Sequence, residues 1–268
     1  MLKCGITGFN GNLGKTFLRC YKNFHYIKFK GDISNKKEVD YWIKYNDFDI
    51  LIHFAALVPT YIVNKNYKKA LNINFRGTKY LADAIVKYKK KIDWFFFSSS
   101  SHVYPLQNKK IKENFKTKPS SKYGKTKLLA ENYLNKKFKH SKIKFCIGRI
   151  FSIFDNKNKS FFTPNLIKKI KQRPKKIILD NLNHNRDFLS TEQISKIIFY
   201  LLKKKFVGTI NIGSGKKTNL KTIAKIFAKK KGKEIFFIFN TPTSLLANVD
   251  RLKKLGFKQK KLNFSRFF

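Results

Sequence analysis

The sequence predicts an α/β fold in which an open parallel sheet carries helices on both faces. Two observations lead there. Short apolar runs alternate with longer stretches of helical spacing over the first 150 residues, and the runs are continuous, as in Ile50-Leu51-Ile52 and Trp94-Phe95-Phe96-Phe97. A strand buried on both faces reads this way, because neither of its side-chain directions meets water. The second observation is the stretch Gly5 to Gly14, which follows the apolar run Leu2, Cys4, Ile6 and precedes a helical segment. Gly8, Gly11 and Gly14 are spaced for a strand, a tight turn and a helix start.

Taken in order, Leu2 to Ile6 is the first strand and Leu13 to Tyr21 the first helix. His25 to Phe29 alternates enough for a strand and ends at Lys30-Gly31-Asp32, and Glu38 to Tyr45 is helical. Asp49 to Phe54 is a buried strand stopping at Ala55-Ala56, and Tyr67 to Tyr88 is a long helical stretch holding Asn74 and Gly77. Trp94 to Phe97 is a strand that stops at four serines, Ser98 to Ser101. Ser121 to Phe138 is helical, and Lys144 to Ile147 is a further strand. Thr7, Ala55 and Ser98 then fall at strand C-terminal ends, where an open α/β sheet binds its ligand. Beyond Arg149 the pattern loosens into helices at Phe162 to Lys171, Thr191 to Leu202 and Leu220 to Lys230, with strands at Lys176 to Leu179, Thr209 to Ile212 and Glu234 to Phe239. The expected organisation is a core over residues 1–150 and a smaller lobe over 151–268, packed on the core and partly interleaved with it.

The composition bounds the classes of function. An apolar fraction of 42% with 16% aromatic residues suffices for a buried core and argues against disorder. The formal charge of +45 invites a nucleic-acid reading, but the excess is nearly all lysine. The arginines are Arg19, Arg76, Arg149, Arg173, Arg186, Arg251 and Arg266, scattered along the chain. Specific nucleic-acid recognition favours clustered guanidinium forks, so solvated lysine faces are expected, with nonspecific attraction to polyanions. Cys4, Cys20 and Cys146 are odd in number and widely spaced, which fits no disulfide framework or metal-ligand pattern and points to a reducing cytoplasm. Cys4 and Cys146 lie in apolar runs, as core residues do. No apolar run is long enough to span a bilayer, and the N-terminus enters a strand directly, without a signal peptide.

Two stretches carry chemistry. At the glycine turn the first glycine permits the turn, the second lets backbone approach a pyrophosphate, and the third lets helix and strand pack closely. The phosphates then lie at a helix N-terminus, where free N–H groups and the helix dipole favour anions. A surface loop before an ordinary helix is the plainer account of the same glycines. The second stretch is Tyr123-Gly124-Lys125-Thr126-Lys127, in which Tyr123 and Lys127, four apart, share a helix face. A phenol titrates near about 10, and an adjacent ammonium lowers that value toward a range useful for proton transfer. A lysine-rich surface helix would show the same pair by chance. Ser98 to Ser101 ends a buried strand and offers a hydroxyl for a substrate oxygen, or is a polar strand terminus and no more.

Jointly these residues resemble the extended short-chain dehydrogenases, the NAD-dependent epimerase/dehydratase family that acts on nucleotide sugars. Thr7 to Gly14 fits that family's T-G-x-x-G-x-x-G, Gly31-Asp32 its G-D, His53-Phe54-Ala55-Ala56 its H-x-A-A and Asn74 to Thr78 its N-x-x-G-T. Ser98 to Tyr104 fits S-S-[ST]-x-x-V-Y, Arg186-Asp187-Phe188 fits R-D-F, and Asn211 to Gly215 fits N-x-G-S-G. The matches run in order over nearly the whole chain. The resemblance implies a Rossmann-type doubly wound parallel sheet with a small C-terminal α/β substrate-binding lobe. It implies NAD or NADP held by Gly8, Asn10, Gly11, Asn12, Leu13, Gly14, Asp32, Ile33, Phe54, Ala55, Ala56 and Asn74 together with Tyr123 and Lys127. It makes Tyr123 the general acid/base, has Lys127 bind the nicotinamide ribose and tune Tyr123, and has Ser100 steady the reacting sugar oxygen. Ser100, Tyr123 and Arg186 would contact the nucleotide sugar, Arg186 through its diphosphate; a surface ion pair with Asp187 is the alternative for that arginine. Family members often pair through the two long helices, here Tyr67 to Tyr88 and Ser121 to Phe138, so a homodimer is expected.

Departures from the pattern narrow the subtype. A 4,6-dehydratase would carry Asp-Glu after the catalytic hydroxyl, where this chain has Ser101 and His102, so dehydration is not expected. His102 is either a second acid or a packed loop histidine. Ser152 stands in Arg149-Ile150-Phe151-Ser152 where epimerases often have asparagine. The acid that usually meets the ribose 2′-hydroxyl is missing before Gly31-Asp32, and Lys28 and Lys30 stand there instead. They either accept a 2′-phosphate or are two more solvated lysines. Reduction of a 4-keto sugar and 4-epimerisation both fit Ser100, Tyr123 and Lys127. The rival accounts are a catalytically idle NAD(P)-binding sensor or scaffold of the same fold, which the intact Ser/Tyr/Lys set argues against, and polyanion binding through the lysines.

Overall fold

A computed structural model describes residues 1–58, 60–155, 162–172, 176–180, 182–238, 241–259, 262 and 264. Arg173, Arg266 and the expected strand end at Phe239 lie outside the described residues. In the first part of the chain, strands β1 (Lys3–Thr7), β2 (His25–Lys28), β3 (Ile50–His53), β4 (Trp94–Ser100) and β5 (Lys144–Ile150) are separated by helices. The helices are α1 (Asn12–Cys20), α2 (Lys36–Tyr45), α3 (Thr60–Lys65), α4 (Tyr67–Leu71), α5 (Gly77–Lys87) and α6 (Lys122–Phe138). Then follow β6 (Ser152–Phe154), α7 (Phe162–Gln172), β7 (Lys176–Leu179), β8 (His184–Arg186), β9 (Phe188–Ser190), α8 (Thr191–Lys203) and β10 (Gly208–Ile212). The chain ends with β11 (Thr218–Asn219), α9 (Leu220–Lys230), β12 (Glu234–Phe237), β13 (Thr243–Leu245) and α10 (Asp250–Lys254).

The large sheet has the order β10-β5-β4-β3-β1-β2, and each of its neighbouring pairs is parallel. Its continuous apolar strands sort by the two-residue period of a strand. Ile50, Ile52, Trp94, Phe96 and Cys146 pack on one face with Phe17 of α1 and Ile194, Ile197 and Ile198 of α8. Leu51, Phe95, Phe97, Phe145 and Ile147 pack on the other with residues of α2, α5 and α6. The fold is therefore the doubly wound α/β arrangement expected from the sequence, with Cys4 and Cys146 in its core and Cys20 exposed. The sheet changes direction of winding between β1 and β3, and this is where such sheets open a ligand crevice.

Two differences from the expected elements bear on the site. The long helix over 67–88 is broken by a π-turn at Asn72–Arg76, an insertion that often marks functional positions; it brings the Asn74 amide inward. Strand β4 continues through the serines, because Ser98, Ser99 and Ser100 pair with Gly148, Arg149 and Ile150 of β5. As expected, Gly31-Asp32 leads from β2, the edge strand, directly into α2.

A third apolar cluster gathers Leu166 and Ile170 of α7, Ile177 and Leu179 of β7, and Leu220, Ile223 and Phe227 of α9. Strand β10 closes the large sheet from within this later half of the chain. Among the described residues no helix is long and apolar enough to cross a membrane.

Candidate active site

The glycine turn forms the floor of a cleft of about 1060 Å3. Gly8 has φ +67°, in the left-handed region, and a Cβ there would lie 2.5 Å from the Ala55 backbone nitrogen. A Cβ on Gly14 would run into the Gly8 carbonyl, so the third glycine sets how closely α1 approaches β1. Gly11 caps α1 without a side-chain bond to the first-turn N–H groups, which leaves those donors for an anion. Gly8, Gly11, Asn12, Leu13, Gly14, Phe54 and Ala56 line the cleft. Asn12 also donates from Nδ2 to Asp155 Oδ2 at 2.7 Å, tying the turn to the second half of the chain.

Other expected cofactor residues lie behind this surface. Asn74 is fully buried; it accepts from the Leu57 N–H at 2.6 Å and donates to the Leu57 carbonyl at 3.2 Å and Thr126 Oγ1 at 3.0 Å. Its amide thus clamps the β3 loop to α6 and does not reach the cleft. Ile33 is buried beneath Gly77, where a Cβ would lie 2.7 Å from the Ile33 carbonyl oxygen. Asp32 is exposed beyond the edge strand, with Oδ1 accepting from the backbone N–H and the hydroxyl of Ser34, each at 2.8 Å. Asn10 and Ala55 belong to the two loops that meet at Gly8 and do not themselves line the cleft.

Beneath the turn a buried relay joins β1, β3 and α5. Thr7 Oγ1 lies 2.6 Å from His53 Nδ1, His53 Nε2 lies 2.9 Å from Thr78 Oγ1, and Thr78 donates to the Asn74 carbonyl at 2.8 Å. Because the Thr78 hydroxyl is committed as a donor, it accepts from His53, which places the imidazole proton on Nε2 and makes Nδ1 the acceptor for Thr7. Burial lowers the His53 pKa to about 3, with the Lys127 charge adding to the effect.

Ser100, Tyr123 and Arg186 line the same cleft as the glycine turn. Ser100 accepts the His102 N–H at 3.2 Å and so caps the short turn Ser101–Val103. Ser121 caps α6 by accepting the Gly124 N–H at 3.0 Å. Gly124 lets α6 pack on that turn, since a Cβ would strike the His102 carbonyl. Tyr123 is half-buried, and burial pushes its pKa up to about 12, against a downward pull from a hydrogen bond with Ser100. The direction is opposite to the lowering expected from an adjacent ammonium. Lys127, 1% exposed, lies with Nζ 4.4 Å from the centroid of the Phe97 ring and is itself lowered to about 7 by burial, with Glu131 opposing. Among the described residues its ammonium has no hydrogen-bond partner. A buried cation without a partner needs one, and ribose hydroxyls at this place would supply it. With the open glycine turn, it shows that the residues present fit a dinucleotide.

His102 also lines the cleft, its ring 5.8 Å from that of Tyr123 and its Nδ1 3.0 Å from Ser121 Oγ. Burial and the charge of Arg186 lower its pKa to about 4. The alternative account of Arg186 fails: it forms no ion pair with Asp187 but donates from Nη1 to the carbonyls of Asn185 and Thr243 at 2.9 and 3.1 Å. Asp187 turns the other way, accepting from Ser214 N and Oγ at 2.6 Å, Gly215 N at 2.8 Å and Ala247 N at 3.2 Å. The R-D-F and N-x-G-S-G segments are therefore one latch. Asn211 completes it by accepting from the Tyr104 hydroxyl at 2.9 Å and donating to the Ile111 carbonyl at 2.8 Å.

Sequence reasoning missed one charged pair. Glu131, one turn after Lys127, accepts from Arg149 Nη2 at 2.7 Å and from the Ser99 hydroxyl, and both charges are buried. Arg149 also donates to the Tyr104 hydroxyl at 2.7 Å. The signal was present, as an arginine inside the apolar strand Lys144–Ile150 needs a buried partner.

A model of the NAD dependent epimerase/dehydratase family matches residues 6–213. A GDP-6-deoxy-D-talose 4-dehydrogenase from Aggregatibacter actinomycetemcomitans is 28% identical over 225 residues, covering 80% of this chain and 75% of that protein. Among solved structures, RMD from Pseudomonas aeruginosa complexed with NADPH superposes with a TM-score of 0.87 at 18% identity, over 99% of this chain and 96% of that one. A UDP-glucose 4-epimerase from Thermus thermophilus in complex with NAD gives a TM-score of 0.84 at 15% identity, over 99% and 96%.

Proposed function

The chain belongs to the NAD dependent epimerase/dehydratase family, and from that membership we propose that it is an NAD(P)-dependent enzyme acting at C4 of a nucleotide-activated sugar, by 4-keto reduction or 4-epimerisation. The observation that carries the reading is the convergence of Tyr123, Ser100 and Arg186 on the cleft floored by the glycine turn, with Lys127, whose ammonium has no hydrogen-bond partner among the described residues, one helical turn after Tyr123. When bound, the dinucleotide supplies the redox chemistry at the sugar carbon.

The protein's own residues orient the substrate and move the proton. Tyr123 gives a proton to the sugar 4-oxygen or takes one from it, and Ser100 holds that oxygen by a hydrogen bond. Lys127 binds the ribose hydroxyls of the dinucleotide, as does the first turn of α1 its pyrophosphate. Arg186, with no carboxylate among its described partners, faces the diphosphate of the sugar nucleotide. Residues 151–268 form the substrate-binding lobe in this reading, and two copies pair through α4–α5 and α6. Ser101 and His102 in place of an Asp-Glu pair direct the chemistry away from dehydration.

The test is Tyr123→Phe, assayed with NAD or NADP and nucleotide sugars. Turnover falls by about 100-fold to 10,000-fold, as for loss of a general acid/base, while dinucleotide affinity measured by fluorescence titration stays near that of the wild type. Retained turnover with weakened dinucleotide binding would sink the assignment. Dinucleotide extracted from the purified wild type separates the two reactions: one that stays bound through purification points to epimerisation, one that exchanges freely to reduction.

A further inference from the structure

The glycine turn follows β1, whose neighbour β2 is the edge strand of the sheet. There Lys28, the last residue of β2, pairs in register with Ile6, two residues before Gly8. Its ammonium lies 5.7 Å from the centroid of the Phe9 ring, inside the turn itself. Lys30 follows, and both lysines are exposed while Phe29 between them is buried in the core. Neither lysine forms an ion pair with a carboxylate among the described residues. The nearby acids are engaged with the start of α2: Asp32 with Ser34, and Glu38 with the Asp32 N–H at 2.8 Å and Asn35 Nδ2 at 2.6 Å.

The end of the second strand is where a doubly wound fold meets the adenosine ribose. A carboxylate there takes the 2′-hydroxyl, and a cation accommodates a 2′-phosphate. We propose that Lys28, with Lys30 beside it, forms a 2′-phosphate subsite, so that the chain takes NADP(H) in preference to NAD(H). This rests on the dinucleotide reading above. Lys28 is the principal contact because the strand register and the Phe9 ring hold it next to the turn that receives the pyrophosphate. Since β2 is followed directly by Gly31-Asp32 and α2, no further strand lies outside it to bring an acid to this corner.

The experiment is fluorescence titration of the full-length chain with NADPH and with NADH at moderate salt. NADPH binds about tenfold more tightly, the value of one charge-assisted contact. Lys28→Glu abolishes that preference by weakening NADPH, with NADH bound at least as tightly as by the wild type, and Lys28→Met reduces it. A chain of charge +45 favours the more anionic dinucleotide everywhere, so Lys44→Glu, at the far end of α2, is the control and keeps the wild-type ratio. Equal wild-type affinities, or the same loss in Lys44→Glu as in Lys28→Glu, would overturn the subsite while leaving the dinucleotide site intact. Failure to bind either dinucleotide would remove both readings.

Discussion

His53 shows how one buried side chain ties local chemistry to stability. It is wholly inaccessible, neutral, and hydrogen-bonded on both ring nitrogens between Thr7 and Thr78. Its pKa is about 3 in the folded protein against an ordinary 6.5. Above pH 6.5 the ring is neutral whether or not the chain is folded, and it adds no pH dependence. Between 6.5 and about 3 only the unfolded chain takes up the proton, so the fold loses up to about 1.4 kcal/mol per pH unit as the medium is acidified. Urea unfolding of wild type and His53→Gln between pH 7.5 and 4 measures this. The variant is less stable at pH 7.5 but falls off less steeply below 6.5, and parallel slopes would assign the acid sensitivity to His102 or His184 instead. Such a role was not legible in H-x-A-A, since the motif says where the histidine sits along the chain and not that its two nitrogens bridge a strand and a helix.

Asp187 makes the corresponding point for elements that must be joined. Strands β8 and β9 are three residues each, too short for a two-residue period to register, and β11 and β13 are no longer. They exist because their partners hold them, and Asp187, between β8 and β9, gathers the loop after β10 and the end of β13 through four hydrogen bonds. The long apolar strands and the amphipathic helices were readable because each carries its own periodicity. The latch, the π-turn at Asn74 and the Glu131–Arg149 pair were not, because periodicity does not say which polar groups meet inside. Asp187→Asn keeps the shape but replaces one accepting oxygen by an amide NH2 donor, which leaves some of the N–H groups of Ser214, Gly215 and Ala247 without an acceptor. At about 1–3 kcal/mol for each stranded donor, the expected loss is about 2–4 kcal/mol in urea unfolding. A loss near zero would mean that the loop rearranges and that the latch does not hold it.

The charge of +45 acts on the chain as a body. Ion pairs between exposed groups, such as Arg19 with Glu192 and Lys205 with Asp93, are worth little individually. With 60 basic and 15 acidic side chains, most cations face other cations. One surface hollow beside α5 and the start of β5 collects Lys89, Lys90, Lys91, Lys142, Lys144 and Lys205 around Asp93. Self-repulsion of this kind destabilises the compact state and is screened over a Debye length of about 10 Å at 0.1 M salt. The thermal midpoint therefore rises as NaCl is increased from about 0.01 to 0.3 M, the opposite of what a fold held by surface ion pairs would do. Nonspecific binding to heparin falls over the same range and is the same for Tyr123→Phe as for wild type, because the polyanion meets the lysine surface and not the cleft. A midpoint that drops with salt would show that the few acids carry more of the stability than their exposure suggests. Heparin binding lost in Tyr123→Phe would place the polyanion in the cleft and reopen the division drawn here between a chemical site and a solvated cationic surface.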